Sequence, residues 1–544
     1  MPTSGTSQQR SGSQRVDVEQ ALLGGSTYKG VAEQELSERE ERFELRRRTL
    51  GFFLAPATTI VLFLLPLDLP QTQHTVAAVL GGVIVAWITE PIPIPVSGLL
   101  GASILILLGV GGEEGADAVL APFGSGTIFT FIGAFILAQS MLKHGLARRF
   151  AFRILAIPGV GQSTTRVIIA FGVITCALSA FVSNTATVAM LLPTALGILT
   201  VIANLVQDKR IENGESLEGF DPTRLRVGFA IMLMLAYGAS VGGLLTPVGS
   251  PPNLIGRELI EQATGEAIPF ATWMGIAFPV CALMFVALVA VLLLLNKPEI
   301  RRLTGVTEYV HAEREQMGAL SRAEKNTLVA FTITVALWIL PGIVALVAGS
   351  DSSAYTTVST RLDEGVVAIL GASLLFILPT DWGKREFTLT WGDAARIDWG
   401  TIVLFGSGVI FGALLQDSGL AETIGKGSYN ALGFTSAAAI TIFAVVLAIL
   451  VSETTSNTAS AAVVVPIILP LAEAAGVNPL TPALAATFAA SFGFMLPVST
   501  PQNAIVYGSG AVPITKMIRS GVSFDIIGAI LILIFLPLLI PVFI

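Results

Sequence analysis

Residues 526–544 hold no Asp, Glu, Lys, Arg or His, and neither do 268–295 or 326–348. A run of about 20 such residues spans the hydrocarbon of a bilayer as a helix. In lipid every backbone polar group must be paired within the chain, so only helices and closed barrels cross. A barrel strand alternates polar and apolar residues over short segments. These runs are continuously apolar instead, so the chain is expected to be an all-α polytopic membrane protein. Composition agrees: 13% of the 544 residues are charged, against about 25% in soluble domains. The net charge of −7 comes with no basic tract suited to nucleic acid. Cys176 and Cys281 lie in apolar stretches, which predicts neither a disulfide framework nor a cysteine metal site.

Residues 1–40 are polar and lack the apolar segment of a secretory signal, so they read as a disordered tail. Residues 33–48 read as a charged surface helix, stopped at the membrane by Arg46, Arg47 and Arg48. Spans are expected at 50–67, 75–91, 95–111, 126–143, 227–256, 268–295, 326–348, 364–380, 400–416, 482–507 and 522–544. Two apolar pairs, 164–203 and 434–473, each enter and leave on one side. With the amino terminus inside, Lys143, Arg148, Arg149, Arg153, Lys209, Arg210, Arg224 and Arg226 fall on the cytoplasmic face. So do the basic residues of loop 297–325 and Lys384, Arg385, Arg396, Lys516 and Arg519. Arg257, Arg361 and Lys426 fall outside. The positive-inside rule thus places the amino terminus in the cytoplasm and the carboxyl terminus outside, in the plasma (inner) membrane. Loop charge is the same whether the pairs re-enter or cross.

Two segments repeat. The first reads Ser179-Ala-Phe-Val-Ser183-Asn184-Thr185 and the second Ser452-Glu453-Thr-Thr-Ser456-Asn457-Thr458, each followed by an apolar run and a proline. Downstream of each lies a proline box, Gly249-Ser250-Pro251-Pro252-Asn253 and Ser499-Thr500-Pro501-Gln502-Asn503. In the orientation above the first pair opens from inside and the second from outside, an inverted-topology repeat. Ser-Asn-Thr ahead of an apolar run is a helix start. A helix starting at membrane depth presents free N–H groups and the positive end of its dipole, which suits an anion. The helix ending before it presents carbonyls, which suit a small cation. Each proline box should break its span in the same way. A single Ser-Asn-Thr would be read as an interhelical hydrogen bond; two copies, each with its proline box in opposed topology, point to one central site.

These paired boxes resemble the divalent anion/sodium symporter family, over about residues 50–544, as do Trp87-Ile-Thr-Glu90-Pro-Ile-Pro and Gly145-Leu-Ala-Arg148-Arg149. The resemblance implies a homodimeric, non-enzymatic carrier with two re-entrant helical hairpins and an elevator motion. It divides the chain into a cytoplasmic tail and surface helix at 1–49, scaffold at 50–160 and 326–430, a cytoplasmic loop at 297–325, and a transport domain at 163–296 and 434–544. It implies that Ser183, Asn184, Ser456, Asn457 and Thr458 contact substrate carboxylates and that Ser250, Pro251, Thr500 and Pro501 line the same pocket. One sodium ion would lie among Ser179, Ser183, Asn184 and Gly249, and a second among Ser452, Thr455, Asn457 and Ser499. Ser179–Ser183 and Ser452–Ser456 share a helical face if the approach to each box is helical. Gln502 and Ser499 depart from the small residues or proline expected there, which bears on substrate choice.

Other residues read more plainly. Glu453 is expected to brace the second hairpin, and Glu90 to serve a structural or interfacial role. His74, His144 and His311 lie apart, which excludes a proton relay built from them. Gly238-Ala-Ser240-Val-Gly242 matches a serine-hydrolase elbow, but no histidine sits at its depth, and a small-residue packing face accounts for it. No nucleotide-binding loop is present. The leading expectation is sodium-coupled uptake of a C4-dicarboxylate such as succinate. Sodium-independent exchange and sulfate carriage are the alternatives within transport; an intramembrane hydrolase and a passive channel lie outside it. The boxes hold no Lys or Arg, so bound cations are expected to complete the neutralisation of a dianion.

Overall fold

The computed structural model describes residues 15–23, 38–497 and 499–544. The first half runs through α1 (Val18–Leu23), α2 (Glu38–Leu64), α3 (Gln71–Thr89), α4 (Ile94–Leu107), α5 (Ala116–Leu120), α6 (Gly126–Lys143) and α7 (Leu146–Leu155). A hairpin of α8 (Thr164–Ser179) and α9 (Asn184–Glu212) follows, then α10 (Arg226–Gly243), α11 (Pro251–Thr264) and α12 (Phe270–Leu295). The connector α13 (Val306–Met317) leads to α14 (Arg322–Ala348), α15 (Ser353–Arg361), α16 (Glu364–Ile377), α17 (Trp391–Ala394), α18 (Trp399–Asp417) and α19 (Leu420–Leu432). The second hairpin is α20 (Ala437–Thr454) and α21 (Asn457–Ala474), followed by α22 (Leu480–Ala489), α23 (Pro501–Gly508) and α24 (Ile514–Phe543). A two-stranded ribbon joins β1 (Pro379–Asp381) to β2 (Glu386–Phe387).

Eleven of the described helices are long and apolar enough to cross a membrane. Their outward residues are apolar as well: Phe278, Val286 and Leu294 on α12 and Leu340, Ile343 and Leu346 on α14 are exposed. Only a hydrocarbon solvent makes such a surface favourable. By contrast α10 is buried on all sides from Val227 to Gly243. Helices stand at the expected spans in order, but α4 and α16, at 14 residues each, are shorter than the eleven, which include the hairpin helices α9, α20 and α21. The predicted spans 227–256 and 482–507 are broken, into α10 and α11 and into α22 and α23, with irregular backbone at each proline box.

The halves repeat in their contacts as well as their order. If α6 is matched to α18, α4 to α16, and each hairpin and broken helix to its counterpart, the packing pairs exchange. Thus α6 against α16 becomes α18 against α4, α8 against α10 becomes α20 against α22, and α9 against α23 becomes α21 against α11. The pair α12 and α24 maps onto itself. The C-terminal end of α6 and the start of α18 meet at one face, where Lys143 binds Asp393 at 2.7 Å and His144 bonds the Thr388 carbonyl at 2.9 Å. Inverted halves require that meeting.

Two expectations at the amino terminus change. The tail is not wholly disordered: Val18 and Leu22, one helical turn apart, are buried as α1 lies on α9, and Arg15 binds Asp208 at 2.9 Å. An i, i+4 apolar pair gives even a polar segment one face to bury. The rest of the predicted tail falls outside the described residues. The charged helix and the first span are one helix, α2, in which Arg47 bonds Glu44 at 2.9 Å and Glu90 at 3.3 Å. Glu90 is thus an interfacial anchor, held in the left-handed region (φ 48°) as the cap of α3.

With no water to expel, helices in lipid associate by close packing of small residues and by interhelical hydrogen bonds. Ser140 of α6 meets Thr327 of α14 at 2.7 Å. A Cβ on Gly133 of α6 would stand 2.4 Å from the carbonyl carbon of Ala368 in α16. Gly133→Val should therefore lower stability by about 1–3 kcal/mol or more, since backbone cannot move aside as a side chain does. Gly427→Ala on α19, where nothing lies within 4 Å, should be neutral or stabilising. Thermal unfolding in detergent compares the two; equal midpoints would contradict the α6–α16 contact.

Candidate functional site

Each hairpin turns at its Ser-Asn-Thr box. The chain leaves α8 at Ser179 and enters α9 at Asn184, with Ser183 as N-cap: its Oγ accepts from Ala186 N at 3.3 Å. Ser456 caps α21 in the same way, accepting from Ala459 N at 3.2 Å. Because both serines lie outside their helices, the shared helical face expected for Ser179–Ser183 and Ser452–Ser456 does not form. The short hydroxyl satisfies a free N–H at the new helix start instead.

The asparagine that follows folds back on the preceding helix. Ser179 Oγ donates to Asn184 Oδ1 at 2.6 Å and Ser452 Oγ to Asn457 Oδ1 at 2.8 Å. Asn457 Nδ2 also donates to the Ser491 carbonyl at 3.2 Å. The proline boxes repeat this economy. Asn253 Nδ2 donates to the Gly243 and Thr246 carbonyls at 2.7 and 2.9 Å. Asn503 Nδ2 donates to the carbonyls of Gly493 and Leu496 at 2.7 and 3.1 Å. In both halves the acceptors lie ten and seven residues back. One asparagine in each half thus holds open a broken span, and its Oδ1 is buried without a donor.

Oxygens gather behind both asparagine tips. A Cβ on Gly249 would lie 2.6, 2.8 and 2.9 Å from the carbonyl oxygens of Gly243, Ala180 and Ser179. A Cβ on Gly243 would meet Asn184 Oδ1 at 2.4 Å. In the second half a Cβ on Gly493 would meet Asn457 Oδ1 at 3.0 Å and Ser452 Oγ at 3.3 Å. Glycine is required at these points by crowding, since any side chain would displace the oxygens. The residues fit a small hard cation: the donors are hydroxyl, amide and carbonyl oxygens, drawn from a helix end.

The tips and proline boxes face a single cavity of about 590 Å³. Its wall includes Ser183, Asn184, Thr185, Ser250, Pro251, Ser456, Asn457, Thr458, Ser499, Thr500, Pro501 and Gln502. Ser179, Gly249, Ser452 and Thr455 do not line it. They lie one layer back, where Ser179 and Ser452 hold the two asparagines and Thr455 Oγ1 donates to the Val451 carbonyl at 2.7 Å. The remaining wall is one that the boxes did not indicate: Phe135, Gln139 and Leu142 of α6, Arg396, Ile397 and Asp398 just before α18, and Thr401 on it. Gln139 carries the one signal available beforehand, an amide in an otherwise apolar span. Of the others, Arg396, Ile397 and Asp398 precede α18, and their approach to the boxes follows from the fold.

Glu453 braces the second box. It accepts from Met495 N at 2.8 Å and from Ser499 Oγ at 3.0 Å, pinning the irregular segment after α22 to the end of α20. Buried Ser240 accepts from Gln502 Nε2 at 3.0 Å, a bond between the two broken helices. The three histidines lie elsewhere: His74 bonds the Leu62 carbonyl, His144 bonds Thr388, and His311 is exposed on α13. The elbow-like sequence thus lies on the buried helix α10, away from all three histidines.

The model of the sodium:sulfate symporter transmembrane region matches residues 47–542. The chain is 32% identical over 496 residues to the sodium-dependent dicarboxylate transporter SdcS of Staphylococcus saprophyticus, covering 90% of this chain and 91% of that protein. It is 31% identical over 497 residues to the protein of the same name in Staphylococcus aureus, covering 91% of each. Among solved structures it is similar to Neisseria gonorrhoeae MtrF, with a TM-score of 0.50 at 14% identity over 88% of this chain and 97% of that one, a likeness that bears on fold alone. The chain is a multi-pass membrane transporter of the divalent anion/sodium symporter family.

Proposed function

We propose that this transporter imports a C4-dicarboxylate such as succinate together with sodium, by an elevator motion, as a homodimer in the plasma membrane. The carrying observation is the pair of matched oxygen clusters behind Asn184 and Asn457, set against one cavity. The formal charges on the cavity wall, Arg396 and Asp398, cancel. At the boxes themselves a dianion meets only helix N-termini, each worth roughly half a charge. Two carboxylates at low dielectric need more than that. Sodium ions at Ser179/Ser183/Asn184/Gly249 and Ser452/Thr455/Asn457/Ser499 supply it. They also fix the amides that, with Ser183, Ser456, Thr458, Ser250, Pro251, Thr500 and Pro501, receive the anion. In this arrangement Ser183 and Ser456 contribute chiefly as caps. The names of the staphylococcal relatives support the same substrate class.

The contacts between the bodies favour a moving transport domain. On the reading that 163–296 and 434–544 move against 50–160 and 326–430, the outer end is closed by three polar ties, one of them Phe270 N of α12 donating to Glu364 Oε1 at 2.9 Å. Arg257 of α11 binds Glu364 of α16 at 2.7 and 3.1 Å, and Thr127 of α6 donates to Glu258 at 2.6 Å. The cavity reaches the opposite face, where α6 ends and α18 begins. That is an inward-facing arrangement if the amino terminus is cytoplasmic.

Labelled succinate should accumulate in proteoliposomes only under an inward sodium gradient. Uptake driven by internal succinate without sodium would favour exchange, and sulfate uptake unaffected by succinate would favour a sulfate carrier. Asn184→Ala and Asn457→Ala should each lower uptake more than about tenfold with folding intact, since each removes a hydrogen bond to a charge. Near-normal uptake in either would remove that box from the site.

Glu364→Gln should release the outer tie while leaving Arg257 its bond to Glu261 at 2.9 Å. An Ala189→Cys reporter on the cavity wall, in a chain lacking Cys176 and Cys281, should then react faster with an impermeant thiol reagent added outside. An unchanged rate would contradict the closed outer gate.

A further inference from the structure

The boxes hold no cationic side chain, yet the cavity wall holds one, Arg396, contributed by the segment between α17 and α18. The acids three residues before it and two after it are already engaged. Asp393 accepts from Lys143 Nζ and Thr390 Oγ1, both at 2.7 Å. Slight burial pushes the Asp393 carboxyl up, but these bonds outweigh it and hold the group well below the usual carboxylate range. Asp398 caps α18, accepting from Thr401 N at 3.1 Å and Thr401 Oγ1 at 2.6 Å. Arg396 is exposed and, among the described residues, its guanidinium has neither a hydrogen bond nor an ion pair. Gln139 of α6 lies on the wall of the same cavity and supplies a neutral amide. A guanidinium is always charged and presents a fork that matches a carboxylate.

We propose that Arg396 is a side-specific substrate contact, a guanidinium on the fixed body that receives one carboxylate of the dianion when the transport domain faces the cytoplasm. The proposal rests on the transport reading above. Its logic is the division of labour between the two bodies. The Ser-Asn-Thr boxes travel with the substrate, so their contribution is the same on both sides. Arg396 belongs to the scaffold and meets the anion only at the inner end. It lowers the barrier to capture and release there without deepening the site that the sodium ions complete. An exposed charge of this kind acts through capture rate and loses its effect as salt rises.

The test compares succinate transport in right-side-out and inside-out vesicles for Arg396→Gln, Arg396→Lys and the unaltered chain. For Arg396→Gln the KM measured from the cytoplasmic face should rise about threefold to fivefold more than the KM from the outer face. The salt dependence of the cytoplasmic KM should flatten, and Arg396→Lys should restore most of both. Equal KM changes on the two faces would mark Arg396 as merely structural and overturn the proposal. So would an unchanged cytoplasmic KM, or failure of lysine to restore it. Absence of succinate transport in the unaltered chain would instead overturn the transport reading itself.

Discussion

Hydrocarbon tolerates no unpaired backbone group, and this chain breaks four helices inside it. Everything else follows from how those breaks are satisfied. Each hairpin spends a serine on the new helix start and a second serine on the asparagine beside it. Each proline box spends an asparagine on two carbonyls of its own break. The ladder lost at a proline is replaced by side-chain amides at fixed offsets, which explains why so few polar residues serve so apolar a core.

The same satisfaction leaves a surplus of acceptors. Side-chain amide donors are used on carbonyl groups, while oxygens of Asn184, Asn457, Gly243, Ala180 and Ser179 crowd around three glycines, Gly243, Gly249 and Gly493. Asn253 Oδ1 and Asn503 Oδ1 are buried with no donor at all. An excess of oxygen beside a cavity of zero formal charge is an environment that a small cation relieves and that a dianion alone would not enter. On the function proposed above, sodium coupling is a consequence of how the breaks are built, and the anion and cations belong to one electrostatic unit.

Much of this was legible beforehand. Apolar runs gave the spans, since nothing but a helix pairs its backbone in lipid, and the doubled boxes located both hairpin tips. Less was legible where a tertiary contact decides. The i, i+4 spacing of Ser179 and Ser183 looked helical, but α8 stops at Ser179 because the cap on α9 wins the second hydroxyl. Val18 and Leu22 sit in a polar tail whose composition hides a single apolar turn, and only the fold, through α9 and the turn at Pro222–Arg224, gives it a partner. Gln139, Arg396, Asp398 and Thr401 come to the cavity from segments that carry no motif. Their role depends on the approach of α6 and α18, which the pseudo-symmetric packing sets.

The claim that cations and anion form one unit is tested most directly by calorimetric titration of succinate in sodium and in choline, on the purified protein. The account predicts weak binding in choline and binding tighter by about tenfold or more in sodium, with succinate tightening sodium by the same factor. Equal succinate affinity in the two media would contradict it.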